Sequence, residues 1–274
     1  MKKGFISAVA VVIMMFSQLS LAAGAKADLM DFTPDLKDKA GLQKGAQTYV
    51  NYCLGCHAMK YQRYNRLAED LDIPAELVEE YLIFDDKKIG GHMTTPVSVK
   101  QQKKWFGAAP PDLTMVARAR GDAWLYTYLK TFYLDDSRPN GVNNLVFKDV
   151  GMPNVLAHLQ GDQLCKPAWA TADNGGQKRD PISGAPVEDP SQPCKRTELV
   201  EGSGTLTEAE FDELIHDLVS FMVYTGEPVK IHDRTFLGMD LSQREVIGVY
   251  ALLFLCVFGV FAVLLNREYW KDIH

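Results

Sequence analysis

Residues 246–265, VIGVYALLFLCVFGVFAVLL, contain no charged side chain. A helix of about 20 apolar residues crosses the roughly 30 Å hydrocarbon core of a bilayer. A buried core helix of this length would seldom be apolar on every face. The run is therefore predicted to be a transmembrane anchor. Tyr250 near one end, and Tyr269 with Trp270 past the other, suit the two interfaces. Arg267 and Lys271 are balanced by Glu268 and Asp272, so the tail 266–274 does not itself set the orientation.

The other end supplies the orientation. Lys2 and Lys3 precede an apolar stretch from Phe5 to Phe16, and Ala23-Gly24-Ala25 makes a small-residue cleavage site. This pattern is that of a secretory signal, too short to be a second span. Its lysines without arginine point to bacterial export. The expected organisation is a cleaved leader 1–25, a periplasmic domain 26–245, an inner-membrane anchor 246–265 and a cytoplasmic tail. Removing Lys2 and Lys3 from a net charge of −6 leaves −8. That balance argues against a nucleic-acid partner and is compatible with basic protein partners.

Export gives the five cysteines their chemistry. Cys53 and Cys56 stand in CLGCH, Cys165 and Cys194 lie far downstream, and Cys256 sits in the anchor. A structural zinc site wants two close pairs of Cys or His, and no second CxxC exists. A redox dithiol wants a βαβ context. The flank GLQKGAQTYVNYC instead places Leu42, Ala46, Tyr49 and Val50 at helical spacing. The pattern that remains is attachment of one c-type haem: Cys53 and Cys56 bind the porphyrin covalently, and His57 reaches the iron from one face. Cys165 and Cys194 flank a Gly-, Pro- and Asp-rich stretch, 161–204, read as an irregular insertion. In an oxidising compartment a disulfide between them is the natural pairing.

The rest of the domain reads as helices with long irregular joins. TLTEAEFDELIHDLVSFMVYTGEP is the clearest element. Thr207 and Glu210 fit a capping box, Phe211, Leu214, Ile215, Leu218, Val219 and Met222 form one face, and Gly226 and Pro228 end the helix. His216 is expected on its solvated side. For a second iron ligand, Met152 lies in DVGMPNVL, a loop that Pro153 stiffens. Met93 in GGHMTTP is the alternative, with His92 beside it. Residues 69–86 carry eight acids and no base, which is either a solvated face or a surface that steers a basic partner.

Taken in order, YCLGCHAMKYQRY, PPDLT (110–114), ARARGDAWLYTYL (117–129), GMP (151–153) and FMVYTGEP before one C-terminal anchor resemble the cytochrome c1 family. The resemblance implies an all-α, cytochrome c-type haem domain with long irregular loops and one transmembrane helix. It also implies one covalent haem on Cys53 and Cys56, axial ligation by His57 and Met152, and Arg120, with Arg118 as a further candidate, on a haem propionate. The implied role is single-electron relay from a Rieske iron–sulfur protein to a basic cytochrome c, beside cytochrome b in ubiquinol–cytochrome c reductase. In that role the chain makes or breaks no substrate bond itself. An anchored cytochrome of a terminal oxidase, or a haem peroxidase with an open iron, is the alternative. Two features depart from the family pattern: Asn154 stands where many members have a second proline, and 161–204 is long.

Overall fold

The computed structural model describes residues 28–172, 175–236 and 239–271. The leader 1–25 and the last tail residues, 272–274, lie outside the described residues. Helices dominate, in the order α1 (Lys39–Tyr52), α2 (Tyr64–Asp70), α3 (Ala75–Tyr81), α4 (Val99–Phe106), α5 (Val116–Arg120), α6 (Asp122–Lys130), α7 (Ala157–Gln160), α8 (Glu208–Gly226) and α9 (Gln243–Tyr269).

The core is organised by the packing of α1 on α8. Asp38 caps α1 by accepting from the Ala40 N–H, and Leu42, Ala46, Tyr49 and Val50 are all buried, as their spacing predicts. Gly45 permits the contact. A Cβ there would meet the Asp217 carbonyl and lie 2.7 Å from Phe221 Cβ. The two backbones therefore touch where any side chain would hold them apart.

The capping box that opens α8 is formed in both directions: Thr207 Oγ1 accepts from the Glu210 N–H, and Glu210 Oε2 accepts from the Thr207 N–H at 2.9 Å. The expected one-sided burial holds over its first turns. From Asp217 to Gly226 every residue is buried, because α1, α5 and α6 close round the helix. His216 keeps to the polar side expected of it, its side chain 36% exposed, but it also makes contacts. Its Nε2–H donates to the Thr33 carbonyl at 3.1 Å and its ring lies 5.2 Å from Phe32, which ties the N-terminal segment to α8.

Among the described residues, five two-stranded antiparallel ladders run between the helices. They pair β1 (Met59–Arg63) with β2 (His92–Met93), β3 (Phe132–Leu134) with β4 (Val142–Asn144), β5 (Gln163–Lys166) with β8 (Arg196–Leu199), β6 (Ala168–Trp169) with β7 (Glu188–Asp189), and β9 (Asp233–Phe236) with β10 (Met239–Ser242). Strands of two to five residues are too short for alternation to announce them. The stretch 161–204, read as irregular, is thus built on the β5–β8 and β6–β7 ladders. The structure joins Cys165 to Cys194 across its base with their Cα atoms 5.3 Å apart.

Helix α9 is long and apolar enough, over Glu245–Tyr269, to cross a membrane, and only 6% of its most apolar window is buried. A core helix would be covered by the domain; this one is bare.

Candidate haem site

The attachment segment begins as α1 ends. The Cys53 N–H bonds to the Tyr49 carbonyl, and the N–H groups of Cys56 and His57 both return to the Cys53 carbonyl, at 3.1 and 2.8 Å. This tight turn buries Cys53 and exposes Cys56. Burial pushes the Cys53 thiol up to about 12, with the neighbouring Cys56 adding to it. Among the described residues, no group of three or more His, Cys, Asp or Glu side chains gathers to hold a metal.

His57 is fixed from two sides. Its own carbonyl accepts from the Tyr49 hydroxyl at 2.7 Å, and its Nδ1 lies 2.8 Å from the Pro111 carbonyl. Because a carbonyl can only accept, Nδ1 carries the proton and Nε2 presents a lone pair. Desolvation lowers the affinity of the ring for a second proton, against the opposing pull of the Pro111 carbonyl. The imidazole is neutral, oriented and ready to donate through Nε2. Iron-ligating histidines are usually held this way, by a backbone acceptor on the other nitrogen.

The PPDLT segment does the holding. The Leu113 N–H bonds to the Ala58 carbonyl at 2.8 Å, and Asp112 Oδ2 accepts from the Lys60 N–H at 2.8 Å. Asp112 Oδ1 meanwhile accepts from the N–H and hydroxyl of Thr114. The chain after His57 is therefore clamped against 111–114, and the Pro111 carbonyl cannot drift from the ring.

A chain of contacts runs on from there to Met152. Helix α5 leads into α6, where Trp124 and Tyr128 stack at 5.1 Å. The Tyr128 hydroxyl donates to Met152 Sδ at 3.4 Å. Met152 is half-buried, on a loop pinned by Asn140 Nδ2 to the Gly151 carbonyl at 2.7 Å and by Asp149 N–H to Asn143 Oδ1 at 2.8 Å. Asn154, where many members of the family have proline, accepts from the Leu156 N–H at 3.3 Å and starts the turn into α7.

The two candidate arginines part company. Arg120 is exposed, with its guanidinium 5.3 Å from the Trp124 ring and 5.9 Å from Phe147, in the same aromatic group that holds Tyr128 and Met152. The stem of Arg118 packs instead toward Gly226 at the end of α8. Among the described residues neither has a carboxylate within 4.0 Å. Met93, the alternative ligand, is fully buried opposite Met59 in the β1–β2 ladder and packs as core.

These groups suit a haem c: two thiols free of any disulfide, a neutral histidine with one nitrogen spare, a half-buried thioether on a pinned loop, and an unpaired guanidinium beside aromatic rings. The comparisons agree. The model of the Cytochrome C1 family matches residues 33–162. A cytochrome c1 of Allochromatium vinosum is 43% identical over 256 residues, covering 93% of each chain. The chain belongs to the cytochrome c1 family. Also similar are the ammonia monooxygenase gamma subunit of Nitrosomonas europaea, 39% identical over 88% of this chain and 86% of that one, and a Rhodobacter capsulatus cytochrome c1, 23% identical over 98% and 97%. Membership in the cytochrome c1 family makes the chain an electron-transfer subunit of the bc1 type that binds c-type haem.

The orienting roles of Tyr49, Pro111 and Tyr128 are not announced by the sequence. PPDLT stands out as a motif, but only the fold shows that its backbone carbonyl does the work. Of the acids in 69–86, Asp70 is buried, accepting from Arg66 Nε at 2.9 Å, the Tyr224 hydroxyl at 2.8 Å and His232 Nε2 at 3.1 Å. Asp72 pairs with Lys39 and Asp85 with Lys87. The remaining five stay on the surface.

Proposed function

We propose that the chain relays single electrons from a Rieske iron–sulfur protein to a cytochrome c, as the anchored haem c subunit of ubiquinol–cytochrome c reductase beside cytochrome b. The observation that carries this reading is the buried, neutral His57 whose Nδ1–H is spent on the Pro111 carbonyl, directly after two unpaired thiols. In it Cys53 and Cys56 would hold one haem covalently, His57 Nε2 and Met152 Sδ would ligate its iron, and Arg120 would meet a propionate. Bound there, the haem supplies a one-electron ferric/ferrous couple.

The protein's part is to keep that site still and dry. The clamp of 58–60 against 111–114 fixes the imidazole. The pinned 149–152 loop and the Tyr128 hydroxyl fix the thioether, a soft donor that favours the reduced state. Helix α9 holds the domain on the periplasmic face of the bacterial inner membrane, with Leu265 onward toward the cytoplasm. Glu69, Glu76, Glu79, Glu80 and Asp86, exposed on and beside α2 and α3, steer a basic acceptor.

The test is a denaturing gel of membranes stained for haem. A band at the mass of this chain is expected, lost in Cys53→Ser/Cys56→Ser, together with copurification of a Rieske protein and a cytochrome b. A haemless band, or copurification with a terminal oxidase alone, would overturn the reading.

A further inference from the structure

The attachment turn is held at both ends of its peptide units. The N–H groups of Cys56 and His57 converge on the Cys53 carbonyl, at 3.1 and 2.8 Å. The carbonyls in those same two peptide planes belong to Gly55 and Cys56, and each accepts from a side chain of a distant segment. The Thr95 hydroxyl donates to the Gly55 carbonyl at 2.8 Å, and Gln102 Nε2 donates to the Cys56 carbonyl at 2.9 Å. A peptide unit is planar, so holding its N–H and its C=O holds the rotation of the whole plane. The next two carbonyls, of His57 and Ala58, take the Tyr49 hydroxyl and the Leu113 N–H. Four successive carbonyls thus have donors from four places in the chain.

Both side-chain donors are themselves oriented. Gln102 is 3% exposed and is the only buried residue of α4. The helix that presents it is defined locally: Ser98 caps its start by accepting from the Gln101 N–H, and Gly107 ends it in the left-handed region. A carbonyl can only accept, so the amide nitrogen of Gln102 faces Cys56. Thr95 Oγ1 accepts from the Val97 N–H at 3.2 Å, which leaves the hydroxyl proton for Gly55.

We propose that Thr95 and Gln102 are positioning residues for the axial histidine. The 56–57 peptide plane contains the Cα atoms of both Cys56 and His57, so its rotation decides where both side chains start. Thr95 and Gln102 hold that plane and the one before it, while the Pro111 carbonyl holds Nδ1. The imidazole is thereby fixed at its backbone as well as at its ring. A donor on a carbonyl also polarises the N–H of the same unit, which strengthens the two bonds to Cys53. The inference rests on the haem reading of this site and adds to it two residues that lie 40 and 46 positions beyond the carbonyls they reach.

The test uses the full-length, haem-loaded chain in detergent with Thr95→Val, Thr95→Ser and Gln102→Met. Valine and methionine keep the approximate shape and lose the donor, whereas serine keeps the hydroxyl. Amide hydrogen exchange at Cys56 and His57 should become about tenfold faster in Thr95→Val and in Gln102→Met, the effect of losing one buried hydrogen bond. It should stay at the wild-type rate in Thr95→Ser. The ferric electron paramagnetic resonance spectrum, which reports the orientation of the axial imidazole, should shift in the two donorless variants and return in Thr95→Ser. A role confined to folding would lower the melting temperature and leave exchange at Cys56 and His57 and the resonance spectrum unmoved; that result overturns the proposal. Thr95 is only half-buried, so the Thr95 pair decides the matter if Gln102→Met does not fold. Exchange needs no haem: a chain found to carry none, whose turn still loses protection in Thr95→Val, would count against the haem reading and for the clamp.

Discussion

Tyr128 and Met152 form the most consequential side-chain pair outside the CLGCH segment. Burial pushes the Tyr128 phenol up to about 12, so its hydroxyl remains a donor at any working pH. A donor on the sulfur draws density from it and weakens its hold on ferric iron more than on ferrous. Met152→Leu should abolish the weak near-infrared sulfur-to-iron band and lower the reduction potential markedly. Tyr128→Phe should keep the band and lower the potential by a smaller amount. Redox titration with optical spectra checks both, and loss of the band in Met93→Leu instead would reassign the ligand. At this scale the sequence marks the chemistry-bearing residues, because thiols, imidazole and thioether are rare and their spacing is tight. It is silent on their supports. Pro111 acts through a carbonyl that every residue possesses, and Tyr128 reaches Met152 only because β3, β4 and the loop after them fold back.

The α1–α8 contact is where element-scale packing is least forgiving. Gly45→Ala puts a methyl group into the α8 backbone and should cost about 3 kcal/mol, the upper part of the range for overpacking. Gly55→Ala, with nothing within 4 Å of its added carbon, should be silent, although it lies inside the attachment motif. Thermal melts of the two variants compare them directly. Asp217, in the same contact, tests the electrostatics. Burial raises its carboxyl above the usual range, with Glu213 and Asp38 adding to the rise and Lys44 and His216 opposing it. The folded protein thus holds this proton to higher pH than the unfolded chain, so stability falls as pH rises from about 3.8 through the raised value. Asp217→Asn should raise the melting temperature by a few degrees at pH 7 and leave it unchanged at pH 3. Helices of this length are legible from period and caps, as α1 and α8 show. The ladders are not, since two to five residues carry too little pattern and their partners lie up to 36 positions away, as in Gln163 and Leu199.

Two parts of the molecule can be separated from the haem domain by experiment. Removing the Cys165–Cys194 bridge, which closes a loop of 29 residues, should lower stability by about 3–4 kcal/mol without changing the haem spectrum. A chain stopped at Arg244 lacks the bare apolar length of α9, and should be released as a soluble domain with its haem and both ligands intact. That soluble domain isolates the role of surface charge. Of the acids in 69–86, the fold spends Asp70 inside and Asp72 and Asp85 on lysines, a division the sequence cannot reveal because all eight share one composition. Glu76, Glu79, Glu80 and Asp86 are exposed and have no cation within 4.0 Å among the described residues. Reduction of a basic cytochrome c should slow as salt rises, since the screening length is about 8 Å at physiological ionic strength. Replacing those four by Gln or Asn should lower the low-salt rate and flatten its salt dependence. Replacing Asp70 by Asn should instead lower the melting temperature and leave the salt slope alone. Stopped-flow rates across a salt series distinguish the two, and an unchanged slope in the fourfold variant would place the basic acceptor on another face.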